Sequence, residues 1–246
     1  MLEKYYLVVD LYNGKSKIYN NWEETSEAVG NKQSVIQRRF NTKDQVKSVL
    51  DKNILGTTIF DRENDKEEDY AKILTNQIKE SFDHLSNDSA IIFTASELEP
   101  KTQTVAFAWD AYMPGKREAT KSCIKSCSNE KNEYYYEGQA IQDAVNWATE
   151  NMLKKVKIYI NSEMLFKWYY TVTENKTNAD VENFKKFLLN NRDKIDFEFY
   201  KLPDQRSKAS NRVNYNEELY RKLKEELEEK TGEKINNHSP LFPIEF

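Results

Sequence analysis

The sequence predicts a mixed α and β protein, of the α+β or α/β class, in two parts. A small ββαβα module comes first, and a larger unit of five strands and flanking helices follows. Three observations predict this. Short runs alternate apolar and polar residues, the two-residue period of a half-buried strand; KKVKIYIN at 154–161 is the clearest. Longer runs repeat apolar residues every three or four positions, the period of a helix with one buried stripe. Asn21, Thr42 and Gly232 then fall where helices should start or stop.

In residues 1–50, YYLVV reads as a strand and KSKIYN as a second. NWEETSEAV opens a helix with Asn21 as its N-cap, and Glu23 and Glu24 lie in its first turn, where the helix dipole favours acids. QRRFN is a third strand. TKDQVKSVL is a second helix, with Thr42 and Gln45 at capping-box spacing. Fifty residues make only a small core.

Residues 51–88 read as an acidic linker with a helix. NDKEEDYAKILTNQIKESFDHL (64–85) sets Tyr70, Leu74, Ile78, Phe82 and Leu85 on one helical face. It is either a connecting helix or part of the core of the unit that follows.

That unit covers residues 89–234. AIIFTAS, QTVAFAWDAY and REATKSCIKSC are three successive strands. YYYEGQAIQDAVNWATENML is a helix with Ala140, Ile141, Ala144, Val145 and Ala148 as its buried stripe. KVKIYIN is the fourth strand, closed by Asn161. SEMLFKWYY is a short helix, NADVENFKKFLLNNRDKI a longer one, DFEFYKL the fifth strand and VNYNEELYRKLKEELEEKTG the last helix. Residues 235–246 are a tail.

The formal net charge is −4, distributed unevenly. Residues 1–50 carry eight Lys and Arg against six Asp and Glu, the only segment with the basic lean of a nucleic-acid binder. Cys123 and Cys127 have C-x-x-x-C spacing, and His84 and His238 are far apart, so no zinc site is expected. No apolar run approaches the ~18 residues of a bilayer span. MLEKYYLVVD lacks the long apolar region of a signal peptide, so a cytoplasmic protein is expected.

Two resemblances go further. YYYEGQAIQDAVNWATENMLKKVKIYINSEMLFKW resembles the central block of type I ribonuclease H, in which a Glu-led helix runs into a strand ending in Asp. VNYNEELYRKL resembles that family's closing helix. The resemblance covers roughly residues 89–231 and implies a mixed five-stranded sheet. It also implies cleavage of RNA paired to DNA by two Mg2+ ions, clamped by carboxylates in the order Asp, Glu, Asp, Asp. Those positions fall on Thr94, Glu137, Asn161 and Tyr220, so one carboxylate of four is retained. A family histidine before the last helix has no counterpart in PDQRSKASNR. The implied reading is an inactive homologue, a pseudoenzyme with no cofactor. Mg2+ enters only under the alternative of an active, divergent ribonuclease H whose ligands have moved to Glu97, Asp110 or Glu163.

The N-terminal segments KYYLVVDLYNGKSKIYNNWEE and QRRFNTKDQVKSVL resemble the hybrid-binding, or viroplasmin-like, domain that precedes ribonuclease H in many proteins. The resemblance implies a binding site for RNA–DNA hybrid or double-stranded RNA made by Tyr6, Lys15, Lys17, Trp22, Arg38 and Arg39. Such duplexes are recognised across a wide, shallow minor groove. Trp22 would pack on a deoxyribose face, and Arg38 and Arg39 would hold phosphates. Against this, Tyr6 and Trp22 also read as core residues of a small domain, and the arginine pair as a solvated face. The second unit would then be a scaffold or a further binding surface, with a protein partner possible there. A different alternative is a protein-interaction scaffold that binds no nucleic acid.

Overall fold

The computed structural model describes residues 4–10, 16–30, 35–50, 76, 78–127, 133–160, 165, 179–201 and 217–235. The N-terminal elements are β1 (Tyr5–Asp10), β2 (Ser16–Tyr19), α1 (Trp22–Val29), β3 (Val35–Phe40) and α2 (Lys43–Leu50). The strands form an antiparallel sheet in the order β2-β1-β3. Both expected caps are present. The Glu24 N–H donates to Asn21 Oδ1 at 2.8 Å, satisfying one of the donors a helix start leaves open. The Gln45 N–H donates to Thr42 Oγ1 at 3.3 Å, and Gln45 Oε1 accepts from the Thr42 N–H at 3.3 Å, the reciprocal capping box.

The larger unit contains β4 (Ser89–Glu99), β5 (Thr104–Met113), β6 (Lys116–Ser126), α3 (Glu133–Glu150), β7 (Lys155–Ile160), α4 (Ala179–Asn191), β8 (Asp196–Lys201) and α5 (Glu217–Thr231). Its sheet runs β6-β5-β4-β7-β8. The β4–β5 and β5–β6 pairs are antiparallel, and β7 and β8 add in parallel on the other side of β4. Three antiparallel strands joined to a parallel pair, with helices on both faces, is the mixed five-stranded arrangement that the sequence predicts.

The sheet separates two apolar layers. On one face Ile92, Phe107, Trp109, Ile158 and Phe199 pack with the stripe Ala140, Ile141, Ala144, Val145 and Ala148 of α3. All five stripe residues are fully buried, as the helical period requires. Tyr136 joins this layer, and Tyr135 packs against it. A Cβ on Gly138 would lie 3.3 Å from Leu165, a tight contact, and 3.6 Å from Phe184, an ordinary one, so the glycine chiefly makes room for Leu165. On the other face Ile91, Phe93, Ala95, Ala106, Ala108 and Tyr159 meet Leu219, Leu223 and Leu227 of α5. The three alanines leave room for that helix near the sheet. Gly232 ends α5 at φ 71, a left-handed conformation suited to glycine, and its N–H bonds the Glu228 carbonyl at 2.9 Å.

Residues 78–83 are helical. Ile78 is fully buried in the α5-side layer, and Phe82 and Leu85 pack against it. Of the two sequence readings of this stretch, its described end fits the core reading. Tyr70 and Leu74 lie outside the described residues, as do SEMLFKWYY apart from Leu165 and the tail beyond residue 235. Among the described residues no helix is long and apolar enough to cross a membrane. Ile78→Ala is expected to lower unfolding free energy by about 2–5 kcal/mol in urea denaturation, the cost of a core truncation. A solvent-exposed connector would change by no more than about 0.5 kcal/mol.

Candidate functional site

Successive residues of β1 point to opposite faces of the small sheet. Leu7 and Val9 are buried with Phe40 and with Val46 of α2. Tyr6 is on the other face. In the register it lies between Tyr19 on β2 and Arg39 on β3. The Tyr6 ring is 5.8 Å from the Trp22 ring at an interplanar angle of 56°. Trp22 is 54% exposed, unusual for a tryptophan that only fills a core. The Asn21 cap holds it, because Trp22 is the first residue of α1 and the Thr25 hydroxyl donates to the Asn21 carbonyl at 2.6 Å. The Lys17 ammonium lies 4.9 Å from the centre of the Tyr19 ring. Lys4 Nζ donates to Asn41 Oδ1 at 2.9 Å.

Tyr6, Lys17, Trp22 and Arg39 are thus brought to one neighbourhood. Arg38 is not. It lies opposite Leu7 in the register, so it belongs to the helix-covered face. Its Nη1 donates to the Gln37 carbonyl at 3.1 Å, and burial lowers its pKa from the usual guanidinium value. Two adjacent strand residues point to opposite faces, so of the two arginines expected to hold phosphates only Arg39 lies on the Tyr6 face. Lys15 lies outside the described residues. Tyr19 is not selected by the motif; its two-residue offset from Lys17 on a strand is the signal that finds it.

In the larger unit, Thr94 and Glu137 meet. Thr94 is fully buried on β4, and its hydroxyl donates to Glu137 Oε1 at 3.0 Å. Thr94 Oγ1 is also 3.5 Å from the Tyr159 carbonyl oxygen. Glu137, in the first half of α3, is 2% exposed. Tyr220 is not part of this contact. It packs against the α5-side layer, across the sheet from α3. Asn161 and Glu163 lie outside the described residues.

The proposed substitute acids are also elsewhere. Strand alternation puts Glu97 on the face opposite Thr94, and Asp110 lies opposite Phe93 in the register. Asp110 is 4% exposed and belongs to an ion-pair network. Its Oδ2 is 3.3 Å from Arg117 Nη2. Arg117 grips Glu218 of α5 with both terminal nitrogens, at 3.0 and 2.8 Å, and donates to the Tyr112 hydroxyl from Nη2 at 3.0 Å. The Glu218 hydrogen bonds raise the Arg117 pKa further. Burial raises the Asp110 pKa, opposed by a Thr120 hydrogen bond and by Arg117.

Mg2+ requires several anionic oxygens in near-octahedral array. At this contact Glu137 is a buried carboxylate that accepts a threonine hydroxyl. Among the described residues no group of three or more His, Cys, Asp or Glu is placed to hold a metal.

No family model matches the chain, and no curated protein matches it. Solved structures similar to it include ribonuclease H1 from the halophilic archaeon Halobacterium salinarum NRC-1, at 11% identity over 47% of this chain and 86% of that one, with TM-score 0.39. The N-terminal ribonuclease H domain of rv2228c from Mycobacterium tuberculosis, fused to maltose-binding protein, matches at 7% identity over 47% and 82%, with TM-score 0.38. LC11-RNase H1 in complex with RNA/DNA hybrid matches at 18% identity over 46% and 85%, with TM-score 0.36.

Glu137→Gln keeps an acceptor for Thr94 and should leave stability nearly unchanged. Glu137→Ala strands the buried hydroxyl and should cost about 1–3 kcal/mol in the same urea assay. Asp110 carries a pH signature. Its folded pKa is raised, so its stabilising contribution is complete below the unfolded value of about 3.9 and is lost as pH rises through the folded value. The stability of the protein relative to Asp110→Asn should therefore decline from pH 4 upward. A difference that stays flat or grows over that range contradicts the assignment.

Proposed function

We propose that the N-terminal module binds RNA–DNA hybrid or double-stranded RNA, and that the ribonuclease H-like unit is catalytically degenerate and serves as a scaffold or second binding surface. The observation that carries this reading is the Tyr6 face of the small sheet, where exposed Trp22 leans on Tyr6, with Lys17 and Arg39 on the neighbouring strands. An aromatic ring and cations on one face suit a sugar–phosphate backbone: the ring packs on a ribose or deoxyribose, and the cations meet phosphates. The resemblance to the hybrid-binding domain falls on the same residues.

The degenerate reading is supported by the chemistry of the retained acid. Glu137 already accepts the Thr94 hydroxyl, and its aligned partners are neutral. Asp110 is engaged by Arg117 instead of facing Glu137.

The test is fluorescence titration of labelled hybrid, RNA duplex and DNA duplex with the full chain at two salt concentrations. Binding should weaken as salt rises. Trp22→Ala should reduce the preference for hybrid over double-stranded RNA. Arg39→Met should lower the slope of log affinity against log salt by about one, the value of one lost phosphate contact. Arg38→Met should leave that slope unchanged, since its head belongs to the other face. Absence of binding to any duplex at tens of micromolar in low salt overturns the module reading. In a parallel assay the chain should not cleave the RNA strand of the hybrid with Mg2+ or Mn2+ above a Glu137→Gln control. Cleavage lost in that control restores the enzyme alternative.

A further inference from the structure

We infer that β2 carries a second subsite for the duplex backbone, formed by Lys17 and Tyr19, and that Tyr19 is a binding residue in its own right. The inference rests on the reading of the N-terminal sheet as a duplex-binding face, and it deepens that reading.

The register separates this subsite from Arg39. Neighbouring strands lie ~4.8 Å apart, so Tyr19 and Arg39, on the strands either side of Tyr6, are ~10 Å apart across the sheet. Lys17 lies two residues further along β2, opposite Val8 instead of Tyr6. The backbone positions of Lys17 and Arg39 are therefore on a diagonal of ~12 Å. The two cations therefore start from well-separated backbone positions on different strands. They suit two separate phosphates, with the aromatic residues Tyr19 and Tyr6 between them.

The contact that Lys17 makes is the second observation. Its ammonium is over the Tyr19 ring. Several lysines of the larger unit are engaged by carboxylates instead: Lys101 by Glu233, Lys121 by Asp143 and Lys155 by Glu198. A ring positions a cation without neutralising it, so the charge stays available to an anion on its solvent side. Tyr19 thus does two things. It steers Lys17 and presents its own edge to the sugar beside the phosphate. A basic or apolar partner would gain nothing from this arrangement, whereas a polyanion gains a fixed charge.

The experiment uses the full chain and a labelled RNA–DNA hybrid, read by fluorescence anisotropy at two salt concentrations. Tyr19→Leu keeps apolar volume but removes the ring, and should weaken binding about five- to tenfold. Tyr19→Phe keeps the ring under Lys17 and should bind within about twofold of the unaltered protein. Lys17→Met should lower the salt slope by about one. Adding Tyr19→Leu to Lys17→Met should cost less than it does alone, because the two act as a unit. Circular dichroism of Tyr19→Phe and Lys17→Met gives two folded variants even if Tyr19→Leu proves unstable. If the unaltered chain binds no duplex, both this inference and the module reading fail. If it binds and Trp22→Ala weakens it, yet Lys17→Met keeps the full salt slope, the β2 subsite alone is overturned.

Discussion

A β-strand has only two faces, and most of what this protein does with its side chains follows from that constraint. On β1 it sends Leu7 and Val9 to one face, with Phe40 and Val46, and Tyr6 and Val8 to the other. On β3 it parts two arginines that are adjacent in the sequence. On β4 it turns Thr94 toward α3 while Phe93 and Ala95 face α5. A carboxylate one position away in sequence is therefore the thickness of the sheet away in space. The same alternation assembles the candidate interface and separates the acids.

That constraint also explains what was legible beforehand. Element order, both helix caps and the α3 stripe follow from local period and capping chemistry, which the chain carries in plain form at Asn21, Thr42 and Ala140 through Ala148. The parting of Arg38 from Arg39 was missed, although QRRFN reads as a strand and a strand cannot point neighbours the same way. Other features were not legible. The hydrogen bond between Thr94 and Glu137 joins residues 43 positions apart and depends on how α3 docks. The core role of Ile78 depends on which sheet its helix meets, and an amphipathic stripe does not name its partner. The Lys17–Tyr19 contact is set by side-chain conformation on one strand.

The Thr94–Glu137 contact gives the retained acid a structural meaning. A buried carboxylate is costly unless its oxygens are paired, and a hydroxyl donor meets part of that demand without introducing a second charge. Across the sheet, Arg117 ties the β5–β6 hairpin to the first turn of α5 through Glu218, so the charged groups on that side hold elements together.

The burial of Ile78 bears on how the chain can be divided. Without residues 78–85, Ile91, Phe93, Tyr112 and Tyr159 would lose part of their apolar cover. Contiguous exposed aromatic surface of that kind drives self-association. A protease that cut within this stretch would not release two tidy halves. It would leave the larger one with a sticky flank, prone to pair with its own copies.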